Sequence, residues 1–506
     1  MRSLGIPVLL LGVSLAGCTT DRDLEPEGTF RVTVTAVDGG MVPDATAPLP
    51  PNLGDRLERW SLTVEALDAQ GNPDTSYAGV ARLEVVPGSL DSVSGPSALG
   101  RNLRFSGGKA EGEARVTAMF GPTRLWVTDI GYVPAGPDET PACSNGVDDD
   151  GDVAVDFPND PGCAFADDMT EEEGTLRTGV SEAIAYDLPS LADVQGRGAL
   201  TPYDAVAVDV KTQPSRLIVT RVASDGFYVS DIDETNGYGH VFAFNFNPPE
   251  GMRVCHRLER LSGTASEFFG FTELSFPSYD IGRVTEVDGA SCARDADCAE
   301  TEFCERRSVT AVGRCQPCLV PDPVVLTASL IQNDSGMEQL ESALVRVEQP
   351  RIPAKLGPGV PLEEQSTFLF ETNATNCDLN GDGQVDFLDE RESRCSNQCG
   401  SADDCSEWTG YAARGNYKVL VGQVVIQINT GTAQGFDPLK HRGKTLAYVT
   451  GTLRNFSGGS LNWTIETRCA EDLVCTFDDV CVPEPLPSHS ACIAPATEGD
   501  NDAGSN

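Results

Sequence analysis

Apolar and polar positions alternate along much of the chain. Phe30-Arg-Val-Thr-Val-Thr-Ala, Ser61-Leu-Thr-Val-Glu-Ala-Leu, Ala81-Arg-Leu-Glu-Val-Val and Leu125-Trp-Val-Thr-Asp are separated by Gly, Pro, Asn and Asp. A period of two gives each strand one apolar face, and such strands become stable by packing two sheets face to face. Residues 29–133 are therefore expected to form an antiparallel β-sandwich. The alternation returns in Ala205-Val-Ala-Val-Asp-Val, Arg216-Leu-Ile-Val-Thr-Arg-Val, Gly226-Phe-Tyr-Val-Ser-Asp and His240-Val-Phe-Ala-Phe-Asn-Phe. Residues 134–202 lie between these regions and are expected to be an acidic linker.

The later strands carry an internal repeat. Gly263-Thr264, Phe268 and Gly270 are matched by Gly451-Thr452, Phe456 and Gly458 at the same spacing, each set preceded and followed by an apolar strand. This predicts two related barrels, 203–290 and 321–470, the second carrying an insertion over 371–410. The stretch Arg260-Leu-Ser-Gly-Thr-Ala-Ser-Glu-Phe-Phe-Gly-Phe-Thr-Glu-Leu resembles the fourth and fifth strands of an OB-fold barrel. It is similar to the OB-type modules of some secreted bacterial nucleases. Ala66-Leu-Asp-Ala-Gln-Gly-Asn-Pro-Asp-Thr-Ser-Tyr-Ala-Gly, followed by Leu83-Glu-Val, resembles bacterial immunoglobulin-like repeats. The expected fold class is all-β: an immunoglobulin-like sandwich followed by two OB-like barrels with small disulfide-rich appendages.

Those appendages are read from a second repeat. Cys292, Cys298, Cys304 and Cys315 recur at the same separations as Cys469, Cys475, Cys481 and Cys492, which defines Cys-rich modules over 291–320 and 469–493. Ala293-Arg-Asp-Ala-Asp-Cys298 resembles the Cys-rich modules of surface lipoproteins of predatory and gliding bacteria such as myxobacteria. Apart from Cys18, the cysteines fall into local groups of two (143 and 163), six (255–318), four (377–405) and four (469–492), all even. Even local groups in an exported chain predict disulfides, with connectivity left open.

Export is read from the first residues. Met1-Arg2, the apolar run Ile6 to Leu15 and Leu15-Ala16-Gly17-Cys18 resemble a bacterial lipoprotein signal peptide. The run is too short for a permanent span, so 1–17 is expected to be removed. The resemblance implies acylation of Cys18, a lipidated tether over 18–28 and, from Thr19, an outer-membrane address facing the periplasm or the cell surface. Residues 494–506 are expected to be a disordered tail.

Two acidic loops carry the sharpest candidate chemistry. Asp378, Asn380, Asp382, Asp386 and Asp389 occupy positions 1, 3, 5, 9 and 12 of a loop with Gly383 at 6 and Gln384 offering its carbonyl at 7. That spacing wraps oxygens around a hard divalent cation. The loop resembles those of EF-hands and, more closely, dockerins. In the linker, Asp148, Asp150, Asp152 and Asp156 stand at positions 1, 3, 5 and 9, with Ala154 at 7 and Asp160 one place beyond 12. Valine replaces the glycine at position 6. Framed by Cys143 and Cys163, this segment resembles a thrombospondin type 3 calcium repeat. Calcium is the expected cofactor in both loops, in a structural role.

Acidic residues number 77 against 36 basic, a formal net charge of −41 over 506 residues. Residues 201–290 hold 7 basic and 13 acidic side chains, which argues against nucleic acid as a partner of the first barrel. None of the four histidines, His240, His256, His441 and His489, sits at metal-ligand spacing with another. No nucleophile-elbow, HExxH or P-loop pattern is present. Cys255 beside His256 is expected to be bridged. The sequence thus points to a non-enzymatic, calcium-stabilised envelope lipoprotein for recognition or scaffolding, anchored to the outer membrane and engaging an envelope protein or glycan. The competing readings are a hydrolase, or hydrolase accessory, acting on polysaccharide or nucleic acid, and a subunit of an adhesion, motility or export machine.

Overall fold

A computed structural model describes residues 28–352 and 416–475, apart from 173, 175, 214–215, 283–288, 300, 307–311, 431–435, 437–440, 442 and 456–462. The expectations for the leader, Cys18, the loop Asp378–Asp389, Cys481, Cys492 and the tail lie outside the described residues.

The chain divides into two compact units. The first contains strands β1 (Thr29–Val37), β2 (Glu58–Leu67), β3 (Val80–Val86), β4 (Ser89–Ser94), β5 (Ala98–Leu99), β6 (Asn102–Arg104), β7 (Lys109–Thr117), β8 (Pro122–Tyr132), β9 (Gly179–Val180) and β10 (Ile184–Ala185). They build two antiparallel sheets, ordered β1-β2-β7-β4 and β10-β8-β3-β6-β5, with β9 also paired to β8. Alternate positions point inward, so Trp60, Leu62, Val64, Leu83, Val85, Leu125 and Val127 are buried. The rings of Phe30, Tyr77 and Phe105 meet pairwise at 5.0–5.6 Å. Lettered in the immunoglobulin manner, the sheets read ABED and GFC, extended by the β5–β6 hairpin. The last letter comes from β9 and β10. The acidic segment read as a linker to residue 202 therefore continues the sandwich as far as Ala185, and its loop is inserted between β8 and β9.

The second unit comprises residues 49–55 and the chain from Tyr186. Its first part contains α1 (Leu191–Gln195), β11 (Val206–Asp209), β12 (Leu217–Ala223), β13 (Gly226–Asp231), β14 (His240–Phe244), β15 (Arg257–Glu267) and β16 (Thr272–Ile281). The ring β12-β13-β14-β16-β15 closes on β12 through Leu217↔Leu258, and β14 pairs β16 in parallel. Numbered within the ring this is 1-2-3-5-4, the five-stranded Greek-key order of an OB barrel. Strand β11 lies outside the ring on β15.

The Cys-rich segment that follows is a small sheet of β17 (Ser291–Cys292), β18 (Glu302–Glu305) and β19 (Gly313–Pro317). Cys292–Cys304 and Cys298–Cys315 staple it, and Cys255–Cys318 fastens it to the barrel. Too small for an apolar core of its own, the module buries its sulfurs instead. Arg253 supplies a polar anchor, with Nη2 on both oxygens of Asp295 at 2.7 and 2.6 Å and Nη1 donating to the Cys304 carbonyl.

The chain then forms β20 (Val324–Val325), α2 (Ala328–Ile331), α3 (Asp334–Glu338), β21 (Leu344–Glu348), β22 (Asn416–Val421), β23 (Val424–Asn429), β24 (Leu446–Asn455), β25 (Trp463–Glu466) and β26 (Leu473–Cys475). Ring order β21-β22-β23-β25-β24 repeats the first barrel, with β23 parallel to β25. Closure between the first two strands is made by Arg351 and Leu420, which exchange both backbone hydrogen bonds at 2.9 Å. The repeated glycine has a steric reason at Gly451, where a Cβ would meet the Glu466 carbonyl oxygen at 2.2 Å. Residues 353–415, which contain the expected insertion, connect the first and second strands of this ring.

Every residue of β13 is buried. Phe227 and Val229 alternate with Tyr228 and Ser230, so a strand buried throughout has both faces covered. The second cover is the other barrel. The Arg221 guanidinium donates to the Glu466 carboxylate and, at 2.9 Å, to Thr452 Oγ1, while the Tyr228 hydroxyl donates to Glu466 at 3.0 Å. Arg454 lies 3.7 Å from Glu466 and stacks over Phe242 and Phe271 at 5.3 and 4.9 Å. The aromatic alternation seen in the sequence thus splits. Phe227, Tyr228, Phe242 and Phe271 are buried, while Phe246, Phe268 and Phe269 stand in solvent.

Candidate metal centre

The inserted loop of the sandwich is closed by the Cys143–Cys163 disulfide. Inside it, each aspartate caps the backbone just ahead of it. Asp148 accepts from the amides of Gly151 and Val153 at 2.6 and 3.1 Å, Asp150 from Asp152 at 3.0 Å, and Asp152 from Ala154 at 2.7 Å. These short Asx turns wind the chain so that successive carboxylates face one another. One oxygen from each of Asp148, Asp150 and Asp152 falls within 4.8 Å of the others. An all-oxygen, all-anionic donor set suits a hard divalent cation.

Position 6 shows what the loop demands of the backbone. Val153 is held at φ 82°, the left-handed region that glycine occupies freely and a β-branched residue enters only under strain. A sequence with valine here reads as a poor calcium loop. The fold nevertheless imposes the glycine conformation on it.

The remaining expected ligands separate from this triad. Asp156 gives both carboxylate oxygens to the Gly146 amide, at 3.1 and 3.0 Å. Ala154 contributes the amide already described. Asp160 is buried and belongs to a second group with Glu171 and the Cys163 sulfur, again within 4.8 Å. Since that sulfur is in the disulfide, the ligands this group offers are two carboxylates. Asp160 Oδ1 accepts from the Gly162 amide at 2.7 Å, whereas Oδ2 is buried without a hydrogen-bond partner. Leaving a buried carboxylate oxygen unsatisfied costs about 1–3 kcal/mol or more, a cost that a bound cation removes.

Glu171 is the residue that sequence reading missed. It is 1 % exposed, and its carboxylate accepts from the amides of Asp149 at 2.5 Å and Asp156 at 3.2 Å. It thereby draws both arms of the loop together from outside the repeat. In the sequence it stands in the run Glu171-Glu172-Glu173, which reads as a solvated acidic stretch. Asp168, beside it in the chain, is fully buried. Burial pushes its pKa up, against the lowering effect of hydrogen bonds from the amides of Val133, Thr170 and Ala164. Asp168 ties the loop to the end of β8.

Cys255 and the three described histidines, all outside the loop, have partners in the protein. Cys255 is bridged to Cys318, and its neighbour His256 pairs with Glu305 at 3.1 Å. His240 contacts Ser230 Oγ at 2.8 Å, and burial lowers its pKa to about 4. His441 stacks on Phe436. Among the described residues, no helix is long and apolar enough to cross a membrane.

No family model and no curated protein matches the chain. Among solved structures, a β-glucuronidase of Parabacteroides merdae is similar over 20% of this chain and 11% of its own length, at 15% identity and a TM-score of 0.13. A likeness of that extent carries no argument about activity.

Proposed function

We propose that this chain is a calcium-stabilised, disulfide-braced lipoprotein of the bacterial outer membrane, which presents its sandwich and paired barrels for recognition or scaffolding rather than for catalysis. The observation that carries the reading is the convergence of Asp148, Asp150 and Asp152 inside a loop closed by Cys143–Cys163. Bound there, calcium neutralises mutually repelling carboxylates and orders the connection between β8 and β9 of the sandwich. Asp160 and Glu171 would fix the base of that loop. Export and anchoring rest on the N-terminal pattern ending in Cys18 and on the disulfides, which persist in oxidising compartments. Supporting a scaffold role, His256 and His441 are buried, and Cys143, Cys163 and Cys255 are in disulfides.

The reading is tested on full-length protein made with its leader in a bacterial host. The mature chain is expected to begin at an acylated Cys18, to partition with outer membranes, and to enter the soluble fraction as Cys18→Ala. It is expected to leave polysaccharide and nucleic acid substrates intact with calcium present. Calcium-dependent hydrolysis of either, or an unmodified residue 18 in membrane-derived protein, overturns it.

A further inference from the structure

A second group of buried acceptor oxygens lies in the other unit, where the two barrels meet. Glu341, just beyond α3, is fully buried, and Gln195, the last residue of α1, is 1 % exposed. Glu341 Oε1 accepts from the Thr272 amide at 2.7 Å and from Gln195 Nε2 at 3.1 Å. Glu267, at the end of β15, accepts through Oε2 from the Thr201 amide at 3.0 Å and from Thr272 Oγ1 at 3.1 Å. Both carboxylates are therefore held by the same residue, Thr272. Each uses one oxygen on the protein and keeps the other back. Glu341 Oε2, Glu267 Oε1 and Gln195 Oε1 are all buried with no hydrogen-bond partner.

Three acceptors without donors are a specific deficit. The Gln195 amide cannot reverse to relieve it, because its nitrogen is required by Glu341 Oε1. One added proton supplies one donor and leaves two oxygens unsatisfied. The charges acting most strongly on this cluster deepen the deficit: Glu338 lies within hydrogen-bonding reach of Glu341, and Asp204, Glu273 and Asp334 add further negative potential. A hard cation answers all the orphaned oxygens at once. Calcium takes six to eight oxygens, Gln carbonyls and waters among them.

We propose that Glu341 Oε2, Glu267 Oε1 and Gln195 Oε1 form a calcium site that joins the two barrels. It is separate from the loops of the sandwich and of residues 378–389, and none of its residues belongs to a loop motif. The ligands come from α1, β15 and the turn after α3, so the ion would clamp elements brought together only by docking of the barrels.

The test is calcium stoichiometry on the full chain, by equilibrium dialysis and metal analysis of wild type, Glu341→Gln, Glu267→Gln and the double variant Asp150→Asn/Asp152→Asn. Each Glu variant is expected to bind one ion fewer than wild type, and the Asp variant to keep this ion while losing its own. Both Glu changes are nearly isosteric and remove a buried charge, so the metal-free proteins are expected to melt no lower than wild type. Independently of any variant, calcium is expected to slow hydrogen exchange at the amides of Thr201 and Thr272 in the wild-type chain. Unchanged stoichiometry in a folded Glu variant, or unchanged exchange at those two amides, overturns the proposal. Loss of ions in the Asp variant alone would leave the sandwich loop standing and remove this site.

Discussion

Arg221 of the first barrel and Glu466 of the second form an ion pair in which each side chain retains only 10% of its exposure. Burial disfavours the Glu466 carboxylate, yet Arg221 and Arg454 outweigh it and hold its pKa below the usual carboxylate range. One anion therefore serves two guanidiniums, and the Tyr228 hydroxyl completes its coordination.

Removing that anion is expected to strand two buried cations. Glu466→Gln should cost about 3–5 kcal/mol, read as a drop in the denaturant midpoint. Arg221→Met should cost less, since Arg454 still pairs with Glu466. Calorimetry should show the barrels unfolding together in wild type and as separate transitions in Glu466→Gln. Equal costs for the two changes would mean that the shared anion is not the keystone.

Val153 offers the opposite experiment. Its left-handed backbone implies strain of about 1–2 kcal/mol, which glycine relieves at some cost in unfolded-state entropy. Val153→Gly is expected to raise calcium affinity several-fold and the melting temperature in calcium by a few degrees. A lower melting temperature would show that the valine side chain contributes more than its backbone loses.

The second Cys-rich module should copy the first. Cys469 and Cys475 are both in disulfides, and the cysteine spacing repeats that of Cys292–Cys304 and Cys298–Cys315. Non-reducing peptide mapping is expected to find Cys469–Cys481 and Cys475–Cys492. A Cys469–Cys475 bridge would break the analogy.

Much of this architecture was legible because it is periodic. Alternation gave the strands, the Gly-Thr repeat gave two barrels, and even local groups of cysteines anticipated the bridges among the described residues. What escaped was anything built from single residues at long range. Glu171 looks like one member of an acidic run, and Arg221 and Glu466 are 245 positions apart. The final sandwich strands were hidden because β9 and β10 are two residues each, too short for a period to register. Tyr228 and Phe242 fit a barrel interior as well as a seam between barrels.

The carboxylates at that seam set a pH dependence. Burial, with Glu267 and Asp334 adding to it, pushes Glu338 up to about 7, and burial, with Glu338 beside it, raises Glu341 well above the usual carboxylate range. Acids whose pKa rises on folding contribute stability while protonated and lose it as pH climbs from the unfolded value of 4.5 through the folded one. His240, held neutral with a pKa of about 4, acts oppositely but only below its unfolded value of 6.5. Between about pH 6.5 and 8 in chelator, stability is therefore expected to fall, and Glu341→Gln to flatten the slope. A wild-type stability that rises through this window contradicts the assignment.

The most direct test of calcium as a structural element is thermal unfolding of the full chain in excess calcium and in chelator, beside the Asp150→Asn/Asp152→Asn variant. The account predicts a higher melting temperature for wild type in calcium and a markedly smaller gain in the variant. Coincident wild-type curves in the two conditions would contradict it.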